Sequence, residues 1–273
     1  MANQTKKAIL IDGNSILFRM FYGVRTMTSS KGVPTNGIFG FVKLLQQIQN
    51  EMQPDYLAAA FDMAQPTFRH QHYDAYKAGR DKMPEELITQ LDLIKEILTQ
   101  MQVPVVMLAG YEADDIIGTL AKKFAGKGVA AKIITGDRDS FQLVEDQVHI
   151  LYTTTRSGNQ FVEVDPVYIH EKYGIEPIEL IQVKALMGDP SDNIPGIKGI
   201  GEKTALKFVK QYHTVDGLYE HIDELKGKQK EKVAAGKDAA YLSLFLGEID
   251  VKVPIEMDES DMQMPAGDRK SVV

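Results

Sequence analysis

Short apolar runs alternate with amphipathic stretches along most of the chain, and several of the runs stop at a carboxylate. Ala8-Ile9-Leu10-Ile11 leads into Asp12, residues 56–61 into Asp62, and residues 131–136 into Asp137 and Asp139. Residues 103–109 stop at Gly110, just before Tyr111-Glu112-Ala113-Asp114-Asp115. Runs of this length, bounded by turn residues, are the pattern of strands buried on both faces of a parallel sheet. Beyond the acids, Ala113, Ile116, Ile117, Leu120, Ala121 and Phe124 recur at helical spacing, which places Glu112, Asp114 and Asp115 at the first turn of a helix. At 100° per residue Glu112 and Asp115 lie near one another, and Asp114 falls across the apolar stripe.

Further helices are predicted over 37–52, carrying Ile38, Phe41, Val42, Leu45 and Ile48, and from Pro84, carrying Leu87, Leu91, Ile94, Leu98 and Met101. A hairpin over 147–153 and 159–164 turns around Arg156-Ser157-Gly158. Asp165-Pro166 then caps a short helix ending near Gly174, and a second helix runs over 177–187. Helices over 215–225, 228–235 and 239–246 complete a helical lobe, and the acidic, Met-rich residues after Pro254 read as a frayed tail or linker. The fold class is therefore α/β, a central, mostly parallel sheet flanked by helices, followed by a helical subdomain.

Parallel strands present their carboxyl ends on one edge, so acids far apart in sequence converge there. One such acid could simply bond its own turn or complement a helix dipole, but independent capping does not repeat from strand to strand. Carboxylates brought that close repel, and divalent cations relieve the repulsion. The chain has no cysteine, so any metal is held by oxygen or imidazole, which favours Mg²⁺ or Mn²⁺. Its 44% hydrophobic and 25% charged residues are those of an ordinary globular protein. No apolar run suits a membrane span, and the N-terminus leads straight into a strand, so a cytoplasmic location is expected.

Two segments are basic in a chain of net charge −7. Residues 63–83 hold Arg69, Lys77, Arg80 and Lys82 against Asp74 and Asp81, interleaved with Phe68, Tyr73 and Tyr76. Cations track a phosphate backbone while rings stack on unpaired bases, the composition of a single-strand contact. The other segment follows Gly188-Asp189-Pro190-Ser191-Asp192-Asn193. Its glycines at 196, 199 and 201 let backbone N–H groups approach a phosphate, with Lys198, Lys203, Lys207 and Lys210 beside them.

On these residues the chain resembles the 5′-nuclease (flap endonuclease) family, most closely the 5′-to-3′ exonuclease domains attached to bacterial DNA polymerases. The motifs are Ile11-Asp12-Gly13-Asn14, Phe61-Asp62, Phe68-Arg69-His70, Tyr76-Lys77-Ala78-Gly79-Arg80, Tyr111-Glu112-Ala113-Asp114-Asp115, Gly136-Asp137-Arg138-Asp139 and Gly188 to Asn193. The resemblance implies a PIN-like nuclease core over 1–174 with a helical arch over 63–100, a helix-hairpin-helix subdomain over 175–255, and a tail over 256–273. It implies a site for two or more Mg²⁺ or Mn²⁺ ions built from Asp12, Asp62, Glu112, Asp114, Asp115, Asp137, Asp139, Asp189 and Asp192. Lys77 and Arg80 would stabilise the scissile phosphate. DNA contacts would come from Arg19, Phe68, Arg69, Tyr76, Lys77 and Arg80, and from Gly196, Lys198, Gly199, Gly201, Lys203 and Thr204, where K⁺ would also bind.

The implied activity is Mg²⁺-dependent hydrolysis of DNA bearing 5′ flaps, nicks or RNA primers, in replication and repair. A monomer near the nucleoid is expected, with a polymerase region in the same natural chain or none at all. Removing the nine site acids from the count of 38 leaves 29 against 31 basic residues, so the acidity is cation-binding capacity rather than a surface that repels DNA. A PIN-type ribonuclease, a non-catalytic junction binder and an aspartyl phosphatase are the rival readings.

Overall fold

A computed structural model describes residues 5–153 and 161–265. Strands β1 (Lys7–Asp12), β2 (Tyr56–Ala60), β3 (Val105–Val106), β4 (Ala130–Thr135), β5 (Val148–Thr153) and β6 (Phe161–Val164) form one sheet in the order β3-β2-β1-β4-β5-β6. Every pairing is parallel except β5 with β6, which is antiparallel. The turn expected at Arg156-Ser157-Gly158 lies outside the described residues.

Helices α1 (Gly13–Gly23), α2 (Asn36–Gln47), α3 (Phe68–His72), α4 (Glu85–Gln100) and α5 (Ala113–Ala125) connect the first four strands. The two-residue period of the strands divides the core between the faces of the sheet. Ile9, Ile11, Leu57, Ala59 and Ile134 pack against α1, α2 and α4, while Ala8, Leu10, Ala58, Ala131 and Ile133 pack against α5. The chain winds from β1 out to β3 and returns to β4 on the other side of β1. The carboxyl ends of β1 and β4 thus flank a topological switch point, where open α/β sheets leave a crevice.

Several elements depart from the sequence expectation. Pairing in the 103–109 run shrinks to Val105–Val106, because this is the edge strand and only one neighbour is available. The helix expected over 37–52 becomes a π-helical turn at Ile48–Met52 before Gln53 turns left-handed. Residues 13–23, for which the pattern predicted no element, form α1 with Asp12 as its cap. The 63–100 span is not one arch: α4 buries Leu87, Ile94 and Leu98 in the core, and only the turns around 76–84 stand over the crevice. Nor is the stretch after Pro254 frayed as far as residue 265. Met262 is buried, Gln263 pairs with Tyr56 at the start of β2, and the Met264 N–H donates to the Asp55 carbonyl.

Helices α6 (Pro166–Tyr173), α7 (Leu180–Met187), α8 (Glu202–Tyr212), α9 (Val215–Glu220), α10 (Gly227–Ala235) and α11 (Lys237–Gly247) build the helical part around Leu186, Ile197, Phe208, Val215 and Ala240. Gly174, left-handed at φ 69°, ends α6. No helix among the described residues is long and apolar enough to cross a membrane.

Candidate active site

The crevice at the switch point opens into a cleft of about 950 Å³. Asp12 is the last residue of β1 and the cap of α1, so one carboxylate oxygen accepts from Ser15 N–H at 3.0 Å while the other accepts from Thr135 Oγ1 at 2.7 Å. Asp62, just past β2, accepts from Ala113 N–H at 2.7 Å and donates its own N–H to Asn14 Oδ1 at 3.1 Å. Asp114 enters from the first turn of α5, with Ser140 Oγ at 3.4 Å. Asp137 follows β4, its N–H held by Thr135 Oγ1 at 3.0 Å. All four line the cleft, and among the described residues none of them has an ion-pair partner.

Burial pushes the Asp12 carboxyl up to about 7, against the bonds from Ser15 and Thr135 that pull it down. Asp114 is raised well above the ordinary carboxyl value, first by burial and then by the charges of Asp12, Asp137 and Asp62. Carboxylates that line one cleft without a paired side-chain cation are donors that suit a hard divalent cation.

A second acidic group lies beside the first. Asp139, Asp189 and Asp192 can each bring an oxygen within 4.8 Å of the others. These acids already have cations. Lys184, buried on α7, pairs with Asp139 and, at 2.9 Å, with Asp189, and Arg80 donates to Asp192 from Nε at 3.0 Å. Burial and the charge of Asp137 raise Asp139 to about 6 even with Lys184 opposing them.

Asp115 and Glu112 are placed differently from the expectation. Asp115 is fully buried, outside the cleft lining, with both oxygens held by Arg69 at 2.8 Å. It also accepts from the backbone N–H groups of Glu112 and Asp250. In this arrangement it is an anchor, since each of its oxygens already accepts two hydrogen bonds. Glu112 does line the cleft, but its oxygens take Lys77 Nζ at 2.8 Å, Tyr76 OH at 3.2 Å and Arg69 at 3.4 Å. Burial pulls the Lys77 ammonium down, and the charge of Glu112 more than restores it.

The expected DNA contacts also divide. Arg69 is 2% exposed and donates to the Leu246 and Glu248 carbonyls as well as to Asp115, so it holds the fold and offers nothing to a phosphate. Tyr76 is buried against Ile194 and Leu246, and Phe68 is half-buried between Tyr111 and Phe245, so neither presents an open stacking face. Arg19 lines the cleft with Nη2 on the Gly136 carbonyl at 3.0 Å. A Cβ at Gly136 would push that guanidinium aside, so the glycine leaves room for Arg19 at the cleft wall.

In the α7–α8 hairpin, Lys198, Gly199, Gly201 and Lys203 are exposed and Thr204 is half-buried. Gly199 has φ 79°. Gly196 is buried and gives its N–H to Ser243 Oγ at 2.8 Å, so it shapes the hairpin from inside. Sequence reasoning missed Lys184, whose signal was a lone lysine on the apolar side of α7 beside Ile181 and Ala185. It also missed Phe18 and Tyr22, exposed rings of α1 that line the cleft 4.7 Å apart.

Comparison with known proteins meets this geometry. A model of the 5′-3′ exonuclease N-terminal resolvase-like domain matches residues 7–174, and one of the 5′-3′ exonuclease C-terminal SAM fold matches residues 175–270. The chain is 42% identical over 272 residues to DNA polymerase I of Bacillus subtilis, covering 99% of this chain and 31% of that protein. It is 36% identical over 263 residues to the thermostable DNA polymerase I of Thermus aquaticus, covering 96% and 31%. Among solved structures, T5 5′-exonuclease with divalent metal ions (zinc) bound shares the fold at TM-score 0.72 and 23% identity, over 90% of each chain. The catalytic core of Rad2 in complex with DNA substrate shares it at TM-score 0.58 and 17% identity, over 96% and 84%. The mostly parallel sheet with acids at its carboxyl edge, the helical lobe after it and both family models agree: the chain belongs to the 5′-3′ exonuclease family.

Proposed function

We propose that this chain hydrolyses DNA phosphodiesters near 5′ ends, both as a 5′-to-3′ exonuclease and as a flap endonuclease acting on 5′ flaps, nicks and RNA primers. The observation that carries the reading is that Asp12, Asp62, Asp114 and Asp137 line one cleft with no ion-pair partner among the described residues while Lys77 stands on its wall. These four acids would hold the catalytic Mg²⁺ or Mn²⁺, with Asp139, Asp189 and Asp192 as the second group and Glu112 at the margin. Such ions supply Lewis acidity and charge neutralisation at a phosphate.

The chain's own groups do the rest. Lys77, released from Glu112, stabilises charge on the scissile phosphate, and Arg80 does so beside Asp192. Phe18 and Tyr22 present ring faces at the cleft. The exposed Lys198 and Lys203, with Gly199 and Gly201, hold the duplex backbone, and this hairpin would also take K⁺. We divide the chain into a nuclease core to residue 174 and a hairpin subdomain after it, working as a monomer in the bacterial cytoplasm near the nucleoid. Because the chain spans 31% of the length of its Bacillus subtilis relative, a polymerase region in the same natural chain belongs to this proposal.

The test is cleavage of a 5′-flap duplex labelled at each end, with Mg²⁺, with EDTA, and with Asp114→Ala. Metal-dependent cutting at the flap junction, lost in the variant while binding persists, supports the proposal. Binding without cutting under any metal would make the chain a junction binder, and preferential cutting of unstructured RNA would make it a ribonuclease.

A further inference from the structure

The residue proposed to meet the scissile phosphate is held in an unusual backbone. Lys77 has φ 56°, a left-handed conformation that a side chain with a Cβ disfavours. Its own segment gives it a place, as the third residue of a turn closed by the Ala78 N–H donating to the Ala75 carbonyl, but a lysine is a costly occupant of a position that usually takes glycine or asparagine. Two further bonds brace that turn from residues more than a hundred positions along the chain. The Lys77 N–H donates to the Asp192 carbonyl at 2.9 Å, and Asn193 Nδ2 donates to the Ala75 carbonyl at 2.7 Å.

Asn193 is itself left-handed, at φ 56°, a conformation asparagine tolerates better than most residues. Its loop is rigid: Asp189 and Ile194 exchange both backbone hydrogen bonds, and Ile194 packs with Tyr76 and Leu246. The same loop runs directly into the hairpin, where the Ile197 N–H returns to the Leu186 carbonyl.

We propose that Asn193 is a positioning residue for Lys77: its left-handed turn aims the Asp192 carbonyl at the Lys77 N–H while its amide clamps Ala75, so the hairpin lobe sets where the lysine stands. The inference rests on the role given to Lys77 above. Asn193 is exposed and touches none of the cleft acids through its side chain, whose bond goes to Ala75 in the segment that carries Lys77.

Asn193→Asp tests it, because that change keeps the size and the tolerance for positive φ while replacing the amide donor with an oxygen that faces the Ala75 carbonyl. Single-turnover cleavage of a 5′-flap duplex by Asn193→Asp is expected to fall roughly ten- to a hundredfold, with flap-DNA affinity within about twofold of the parent. In a Lys77→Ala background the same change is expected to do nothing further. Equal multiplicative losses in both backgrounds, or an unchanged rate, would overturn the proposal. Amide hydrogen exchange at Lys77 reads the clamp without any activity, and Asn193→Asp should speed it about fivefold or more. If exchange quickens but the parent protein cuts no DNA, the nuclease reading fails and the clamp stands; if exchange does not change, the clamp itself is wrong.

Discussion

Arg69 and Asp115, 46 residues apart, face each other through two parallel hydrogen bonds of 2.8 Å in a fully enclosed pocket. The same guanidinium takes the Leu246 and Glu248 carbonyls, and the same carboxylate takes the Asp250 N–H, so one pair ties α3, the start of α5 and the exit of α11 together. Burial pulls the Arg69 pKa down, but the Asp115 bonds and charge outweigh it and leave the pKa raised. Removing one partner strands a buried charge. Asp115→Ala is therefore expected to lose about 3–5 kcal/mol in urea unfolding with EDTA present. Mn²⁺ titration of the protein that remains folded should count the same sites as the parent; a lost site would return Asp115 to the ligand set.

The cleft acids should show the opposite behaviour. Asp12 has a folded-state value of about 7 against an ordinary value of 3.8. Between those values the folded state keeps a proton that the unfolded state has released, so metal-free stability falls as pH rises through that window and levels off above it. Thermal melts in EDTA from pH 4.5 to 8 check this as the difference between parent and Asp12→Asn. The variant should lose this component of the decline and be the more stable protein at pH 8.

Divalent cations should reverse that cost. At pH 8, Mg²⁺ at a hundredfold over its dissociation constant is expected to add about 3 kcal/mol of stability. Asp114→Asn should melt higher than the parent in EDTA and gain far less from Mg²⁺. Equal gains in both proteins would place the cation elsewhere.

Met262 is 3% exposed under the sheet, in a stretch without any periodic pattern. Met262→Ala is expected to destabilise by about 2–3 kcal/mol by leaving a cavity, measured by denaturant midpoint at constant slope. A loss below about 0.5 kcal/mol would mean that the segment does not dock in solution.

In the hairpin, Lys198 and Lys203 are exposed and free to neutralise phosphate charge. Replacing either with Ala should weaken duplex binding without regard to sequence and lower the slope of log affinity against log salt by about 1. An unchanged slope would take that lysine off the DNA path.

The alternation of apolar runs and amphipathic stretches was enough to determine the parallel sheet, α4, α5 and the helical lobe, because burial on two faces or one leaves a period in the sequence. Acids at strand ends were legible for the same reason: a parallel sheet sends every carboxyl end to one edge. Within Glu112-Ala113-Asp114-Asp115 the 100° spacing set Glu112 near Asp115, whose carboxylate does accept from the Glu112 N–H, but it is Glu112 and Asp114 that line the cleft.

What periodicity cannot carry is which partner a charge meets. Asp114 and Asp115 are the same residue type one position apart, yet one enters the cleft and the other is sealed against Arg69, because the α3 and α11 segments happen to close over that side of α5. Lys184, the left-handed Lys77 and the docked Met262 belong to the same class. Each is decided by contacts across 45 residues or more, and only the assembled fold supplies them.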